Sequence, residues 1–178
     1  MSRIQLHSAQ IRSASRSDGP RLSLIANATF LETFAGEIAG DALVAQCVDR
    51  QASEQFARQL ETGSRAWLVE IERSPIGYAM LSPPQLECAH DGDIELKKIY
   101  LLSRYHGSGI AARLLETAIA GAKGYRRILL GVKADNHRAI NFYRKHGFAQ
   151  IGTRRFDVGG TLYDDVVLAR DCNGNTAQ

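Results

Sequence analysis

A run of small residues between Tyr105 and Ala111, in the stretch HGSGIA, has the composition of an anion-binding turn. It follows the apolar run IYLL, which is typical of a buried strand, and it precedes ARLLETAI, whose apolar residues have helical spacing. Glycines let a phosphate approach the main chain, where unpaired N–H groups and the positive end of a helix dipole point outward. An isolated GxG is more often only a tight turn, so its context must decide.

One interpretation of this turn is a dinucleotide site. Gly107 to Ala112 satisfies the pattern GxGxxA, and Asp135 closes the next predicted strand, where an acid that binds a ribose would lie. The residues after Asp135, however, predict one helix and two antiparallel strands, which cannot complete a Rossmann sheet. An NAD-dependent reductase is therefore disfavoured.

The elements around the turn predict one α/β domain over residues 1–170 and a polar tail at 171–178. Turns are expected at 72–75 and at Gly159-Gly160, and the order favours a mixed sheet with helices on both faces. Helices are predicted at 18–34, 41–60 with a break near Arg50, 108–123 and 136–145. Strands are predicted at 9–15, 67–72, 75–82, 94–102, 127–133, 149–156 and 161–169.

Composition and charge exclude several classes of function. The 178 residues suffice for one domain with a core, and a net charge of +3 without a basic tract argues against nucleic-acid binding. The three cysteines form no CxxC pair, and His137 and His146 have no third ligand at metal spacing, so neither a disulfide framework nor a metal site is expected. Without a signal-peptide core or a run of roughly twenty apolar residues, a cytoplasmic protein that does not contact membranes is predicted.

The glycine turn resembles the acetyl-CoA motif of the GNAT N-acetyltransferases, Q/R-x-x-G-x-G/A. Two frames fit, one that begins at Arg104 and one that begins at His106. The second is preferred because Tyr105 and the helix start then match relatives that carry YRGKGIG. In this frame His106 stands where the family usually has glutamine or arginine.

The resemblance extends to Phe148 and, more loosely, to the region before Trp67. ADNHRAINFYRKHGF is similar to the family pattern N-x-x-A-x-x-F-Y-x-x-x-G-F. Upstream, GYAMLSPP resembles the family hairpin, and FLETFAG with ELKKIYLL is similar to PaiA-like polyamine acetyltransferases. The matching positions of the downstream pattern are Asn136, Ala139, Phe142, Tyr143, Gly147 and Phe148.

This resemblance implies the GNAT fold, a mixed and mostly antiparallel sheet of about six to seven strands flanked by helices. It also implies acetyl-CoA as co-substrate. The main chain of Ile99, Tyr100 and Leu101 would pair with the pantetheine arm, and Asn136 would touch that arm from the end of the next strand. The pyrophosphate would lie against His106, Gly107, Ser108, Gly109, Ile110 and Ala111.

The resemblance implies catalytic roles for Tyr143 and Glu95. Tyr143 matches the family tyrosine that contacts the cofactor and protonates the leaving thiolate, and Glu95 aligns with the catalytic glutamate of histone-type members. Strand alternation predicts that Glu95 shares a face with Lys97 and Ile99. A base is useful because only about one amine in two thousand is uncharged at pH 7. Ordered water is the alternative base.

The function predicted from these residues is direct acetyl transfer from acetyl-CoA to a primary amine. A polyamine-like small molecule is favoured as acceptor, and a protein N-terminus or lysine is the alternative. His90, Asp91 and Asp93 form an acidic loop that would attract such an amine. A regulatory module that binds acetyl-CoA without turnover is the candidate from another class, and a homodimer is conceivable for the family.

Overall fold

Strands and helices alternate along the residues that the computed structural model describes, 9–158 and 161–172. A π-helical turn at Gln46–Arg50 extends the second helix, and the chain then leaves the helix at residues 51–52, so the predicted break near Arg50 is confirmed. The other predicted elements are also present, with some ends shifted by one or two residues. The strands are β1 (Gln10–Ser13), β2 (Arg65–Ile71), β3 (Ser74–Ser82), β4 (Asp93–Leu101), β5 (Arg127–Lys133), β6 (Ala149–Val158) and β7 (Thr161–Asp171). The helices are α1 (Gly19–Phe34), α2 (Gly40–Ala45), α3 (Ser53–Glu61), α4 (Ile110–Gly121) and α5 (His137–Lys145).

The strands of the described ranges form one seven-stranded sheet in the order β1-β2-β3-β4-β5-β7-β6. Only β4 and β5 pair in parallel, because α4 carries the chain back between them, and the other neighbours are antiparallel. The predicted fold class, a mixed and mostly antiparallel sheet flanked by helices, is therefore confirmed.

Helices cover both faces of this sheet. On one face, α4 and α5 pack against β4 and β5 through buried side chains such as Leu114, Ile140 and Leu96. On the other face, Leu22 and Ile25 of α1 join a second buried cluster with β2, β3 and α3. The apolar residues of α1 recur every three or four positions, which directs one stripe of the helix to the sheet.

The hairpin between β2 and β3 has a shorter turn than the predicted 72–75. Glu72 and Arg73 alone connect the strands, both with left-handed backbone (φ 49° and 63°), as two-residue hairpin turns require. Pro75, expected in the turn, lies in β3 opposite Glu70, beside a bulge at Ile76 of the same strand. A proline is tolerated there because the bulge already interrupts the hydrogen-bond ladder.

Asp93 joins β4 to β5 and is not part of an exposed acidic loop. Its side chain is fully buried and accepts hydrogen bonds from Arg127 at 2.7 Å, Arg126 at 3.2 Å and the His90 main-chain N–H at 3.0 Å. Burial alone would raise the pKa of Asp93, but these donors outweigh it and hold the pKa well below its ordinary value. The predicted acceptor-attracting role of Asp93 is wrong, because two arginines already neutralise the carboxylate.

The proposed limits of the domain stay a prediction. β7 runs to Asp171, and the N–H of Cys172 donates to the Arg126 carbonyl oxygen at 2.9 Å. Most of the predicted tail, residues 173–178, and the predicted Gly159-Gly160 turn lie outside the described residues.

Candidate active site

β4 and β5 separate after a short paired segment. Asp93–Glu95 pairs with Arg127–Leu129, although the two strands continue to Leu101 and Lys133. Beyond that segment, the described residues supply no backbone partner to the β4 edge that faces β5, while the other edge stays bound to β3. Such a gap can bind an extended amide chain as an added strand. The predicted pantetheine-binding residues, Ile99, Tyr100 and Leu101, all lie on this stretch of β4.

A β-bulge at Lys97 changes which β4 side chains share a face. The pairing with β3 passes from Leu96 directly to Lys98, so Lys97 is the extra residue. Ile99 consequently lies on the face of Leu96, packed with α4 and α5, and Lys98 lies on the face of Glu95. The prediction that Glu95 and Ile99 share a face is wrong, because it assumed an uninterrupted strand.

The glycine turn leads from β4 into the start of α4. Gly107 and Gly109 have left-handed backbone, φ 78° and 83°, and the space where their side chains would lie is open to 4 Å. In the described part of the chain, the main-chain N–H groups of Gly107, Gly109, Ala111 and Ala112 have no hydrogen-bond acceptor. Unpaired donors at the start of a twelve-residue helix form an anion-binding nest.

Ser108 and Ile110 hold the turn rather than face the open space with their side chains. The Ser108 hydroxyl donates to the Tyr105 carbonyl oxygen at 2.6 Å, and the Ile110 side chain is buried in the core. The nest therefore depends on its main chain, which these two side chains keep in place.

His106 connects the end of β4 to α5. Its Nε2 lies 2.9 Å from the Leu101 carbonyl oxygen and its Nδ1 lies 2.8 Å from Nη2 of Arg138. A carbonyl only accepts and a guanidinium only donates, so this pattern requires a neutral imidazole with the proton on Nε2. The sequence did not single out Arg138, although it falls inside the motif run NHRA at the start of α5.

Tyr143 lies on α5 at the gap, with 9% of its surface exposed. Its ring packs against Phe142 and Phe148, at centroid distances of 5.4 and 5.7 Å. Burial raises the pKa of Tyr143 well above its ordinary value, and nearby Tyr100 raises it further, so the phenol keeps its proton at neutral pH. Tyr100 packs with the α1 cluster on the other face, so the two phenols interact across the unpaired part of the sheet.

Asn136 begins α5. Its side-chain oxygen accepts a hydrogen bond from the Ala139 N–H at 3.0 Å, which caps the helix. The oxygen is thereby used, and the amide NH₂ group has no hydrogen-bond partner among the described residues. Asn136 thus has a structural role that the motif alone did not reveal.

Glu95 occupies the closed end of the gap. It pairs with Leu129, the last β5 residue before the strands separate, and only 4% of its surface is exposed. The carboxylate accepts the Gln85 main-chain N–H at 2.8 Å, and the Lys97 ammonium contacts the Gln85 side-chain oxygen. Burial lowers the pKa of Lys97, and the Glu95 charge partly opposes this effect. Glu95 and Tyr143 lie toward opposite faces of the sheet.

Charged residues from β6 and β7 lie on the Glu95 face, and the sequence did not predict them. Nε of Arg154 donates to buried Asp165 at 3.1 Å, and burial nevertheless raises the pKa of Asp165. The Arg154 guanidinium lies against Gly131 of β5, where a Cβ would come within 2.5 Å of Nη2. A glycine inside the strand RILLGVK was the available signal of this close approach.

Lys98 brings a further cation to this face. It lies opposite Met80 and is only partly exposed. Burial and neighbouring Lys97 lower the pKa of Lys98 to about 8. Within the described residues it makes neither a hydrogen bond nor an ion pair, so part of its charge is uncompensated.

Other kinds of site find no support within residues 9–158 and 161–172. No three or more His, Cys, Asp and Glu side chains are arranged to hold a metal ion, and the three cysteines are free. None of the described helices is long and apolar enough to cross a membrane.

Comparison with known proteins identifies the family of this chain. The profile described as the Acetyltransferase (GNAT) family matches residues 32–148, which include β4, the glycine turn and Tyr143. The chain belongs to the GNAT family. It is therefore an acyltransferase that uses acetyl-CoA as co-substrate. The open β4 edge and the unpaired N–H groups of the turn fit the amide chain and the phosphates of that molecule.

Relatives of this GNAT enzyme cover most of its length. An uncharacterized N-acetyltransferase of Mycobacterium tuberculosis is 36% identical over 157 residues, which are 86% of this chain and 97% of the relative. The crystal structure of the PaiA N-acetyltransferase of Thermoplasma acidophilum in complex with coenzyme A has a TM-score of 0.73 at 20% identity, over 92% of this chain and 99% of that chain. A ribosomal-protein-alanine N-acetyltransferase of Brucella melitensis has a TM-score of 0.72 at 26% identity, over 91% and 99%.

The backbone of the turn can be tested in this GNAT enzyme by substituting Gly109 with alanine. We expect the KM for acetyl-CoA to rise about tenfold or more, because a side chain at positive φ is strained by about 1–2 kcal/mol and adds a methyl group beside the nest. Gly124→Ala is the matched control, since Gly124 also has positive φ and open space but follows α4. Equal rises in KM for both variants would contradict a specific role of the turn.

Proposed function

We propose that this enzyme transfers the acetyl group of acetyl-CoA directly to a primary amine in a ternary complex. The observation that supports this most is the gap between β4 and β5, which opens after Glu95 and is followed along the chain by the glycine nest, while Tyr143 belongs to the cluster that packs on one face of these strands. These features together offer partners for the amide chain, the anion and the reacting thioester.

Each part of the gap is assigned to one part of acetyl-CoA. The main chain of Ile99, Tyr100 and Leu101 pairs with the pantetheine amides, as the open β4 edge allows. The unpaired N–H groups between His106 and Ala111 bind the pyrophosphate. The Asn136 amide NH₂, left over from helix capping, donates to the pantetheine arm.

The chemistry requires one proton to leave the amine and one to reach sulfur. The amine nitrogen forms a bond to the acetyl carbonyl carbon, the C–S bond breaks, and Tyr143 donates its phenolic proton to the leaving thiolate. A high pKa keeps that proton available. The three cysteines are free and none of them lies on β4 or β5, which supports direct transfer over an acyl-cysteine intermediate.

The base is proposed to be Glu95, with ordered water as the alternative. We expect Glu95→Gln to lower kcat by a factor of about 100 and to leave the KM for acetyl-CoA nearly unchanged, because the amide keeps its shape but accepts no proton. Glu87→Gln, an exposed change in the preceding loop, is the control. A kcat within threefold of wild type for Glu95→Gln would assign the deprotonation to water.

The acceptor is proposed to be a small amine, with polyamines as the first candidates. Buried Glu95 and Asp165 would attract a cationic chain to this face. The positive charges of Lys98 and Arg154 would repel such a chain, so the acceptor must be found by assay. The likeness to a ribosomal-protein-alanine N-acetyltransferase makes a protein N-terminus the second candidate.

The experiment is release of free CoA thiol from acetyl-CoA across polyamines, amino acids, aminoglycosides and N-terminal peptides. Turnover with one class, confirmed by mass spectrometry of the acetylated product, would establish enzyme and acceptor together. Tight binding of acetyl-CoA without turnover on any acceptor would favour a regulatory binding module.

The cellular compartment and the oligomeric state of the enzyme are also proposals. We propose a cytoplasmic enzyme, in accord with three free cysteines. We also propose a homodimer that forms through the terminal strands. Sedimentation at several protein concentrations tests this assembly.

A further inference from the structure

Arg138 is a cation beside the glycine nest without a carboxylate partner. No ion pair to Arg138 occurs within the described part of the chain, and its hydrogen bond goes to the neutral imidazole of His106, which directly precedes Gly107. Other arginines near the turn have different contacts: Arg104 lies over the Tyr105 ring at 5.0 Å, and Arg113 donates to the Ala9 carbonyl oxygen at 3.2 Å. The Arg138 charge therefore remains available at the nest.

His106 restricts where this guanidinium can lie. Its ring is held on one side by the Leu101 carbonyl oxygen at 2.9 Å, which leaves the Nδ1 lone pair directed at Arg138. A guanidinium has five donors in a fixed plane, so one hydrogen bond to Nδ1 leaves others for an anion. The end of β4 thus orients a side chain that comes from α5.

We propose that Arg138 binds a phosphate group of acetyl-CoA and that His106 is its positioning residue. This inference rests on the proposed cofactor site at the turn. The side-chain contact of the glutamine or arginine expected at the position of His106 would then come from α5, with histidine as its support. The ligand chemistry is a phosphate ester or diphosphate, and the cofactor carries two sources of it, the pyrophosphate and the 3′-phosphate.

Three acetyl donors separate these sources in a test of Arg138→Gln. Acetyl-CoA has both phosphate groups, acetyl-dephospho-CoA lacks the 3′-phosphate, and S-acetylpantetheine lacks both. Arg144→Gln is the matched control, because Arg144 is an exposed arginine at the other end of the same helix. Initial rates give kcat and KM for each donor with each variant.

We expect Arg138→Gln to raise the KM for acetyl-CoA by about 10- to 100-fold with little change in kcat, as loss of a charge-assisted hydrogen bond implies. The KM for S-acetylpantetheine should stay unchanged. A rise that persists with acetyl-dephospho-CoA would identify the pyrophosphate as the ligand, and a rise confined to acetyl-CoA would identify the 3′-phosphate. A KM for acetyl-CoA within twofold of wild type, or an equal rise with S-acetylpantetheine, would overturn the proposal.

The positioning role of His106 is tested by a double-mutant cycle. His106→Ala should raise the KM for acetyl-CoA severalfold, and adding it to Arg138→Gln should cause little further rise, because both changes remove the same contact. His106→Gln, which restores the usual family residue, should bind better than His106→Ala. Independent, multiplicative effects of the two changes would overturn the positioning role.

Equilibrium binding separates this inference from the proposed function. Calorimetric titration with CoA and dephospho-CoA measures the Arg138 contribution without any acceptor. If wild type binds CoA but acetylates no acceptor, the proposed function fails. The effect of Arg138→Gln on the Kd for CoA then still tests this inference by itself. A Kd of Arg138→Gln equal to that of wild type would overturn the inference even in an active enzyme.

Discussion

Replacement of Tyr143 by phenylalanine is expected to lower kcat about 100-fold or more, while the Kd for CoA changes by less than threefold. In the proposed mechanism the phenol donates its proton to the leaving thiolate, and general acids of this kind contribute about 10²- to 10⁴-fold. Because burial raises the pKa of Tyr143, the proton is present throughout the neutral range, so the loss should be the same from pH 6 to pH 9. Steady-state rates and calorimetry measure the two quantities.

Tyr125→Phe is the control for Tyr143→Phe, since Tyr125 follows α4, where Arg65 lies over its ring at 5.8 Å. An unchanged kcat in Tyr143→Phe would mean that the thiolate leaves without this acid. Equal losses of kcat and of thermal stability would instead indicate that the hydroxyl only supports the core.

The second large effect is expected at Asp93. Asp93→Ala should lower the free energy of unfolding by about 3–5 kcal/mol, because it leaves two arginines at the start of β5 without their buried carboxylate. Urea denaturation at pH 7 measures this difference. Asp91→Ala, an exposed change in the same loop, should lie within about 0.5 kcal/mol of wild type.

The Asp93 effect should also depend on pH. The folded pKa of Asp93 is depressed below its unfolded value of about 3.9, so the carboxylate stabilises the fold fully above that value and loses its contribution as the pH falls toward the folded pKa. The difference between wild type and Asp93→Ala should therefore be constant above about pH 5 and shrink in stronger acid. A difference that grew on acidification would contradict the assigned ion pairs.

The sequence predicted the elements and the glycine turn well, for a physical reason. Strand alternation, helical spacing and glycine turns are local, so the GxG turn before α4 and the strand-helix order could be read directly. The family resemblance correctly led to the GNAT fold, whereas the roles of Tyr143 and Glu95 stay predictions.

Features that depend on distant residues could not be predicted. The bulge at Lys97 arises from pairing between two strands, and it reversed the expected faces of β4. In the sequence alone, Asp93 could not be distinguished from its exposed neighbour Asp91. The difference is that Asp93 binds the two arginines that precede and begin β5. The contact of His106 with Arg138 joins residues 32 positions apart, which no local pattern encodes.

The short parallel seam between β4 and β5 has a mechanical consequence. Within the described residues, strand pairing joins one half of the sheet, β1–β4, to the other, β5–β7, at only three positions. A ligand that hydrogen-bonds to β4 across the gap would add connections where the sheet has few. Amide hydrogen exchange in the two halves should thus be slowed together by CoA, making the domain a more cooperative unit when loaded than when empty.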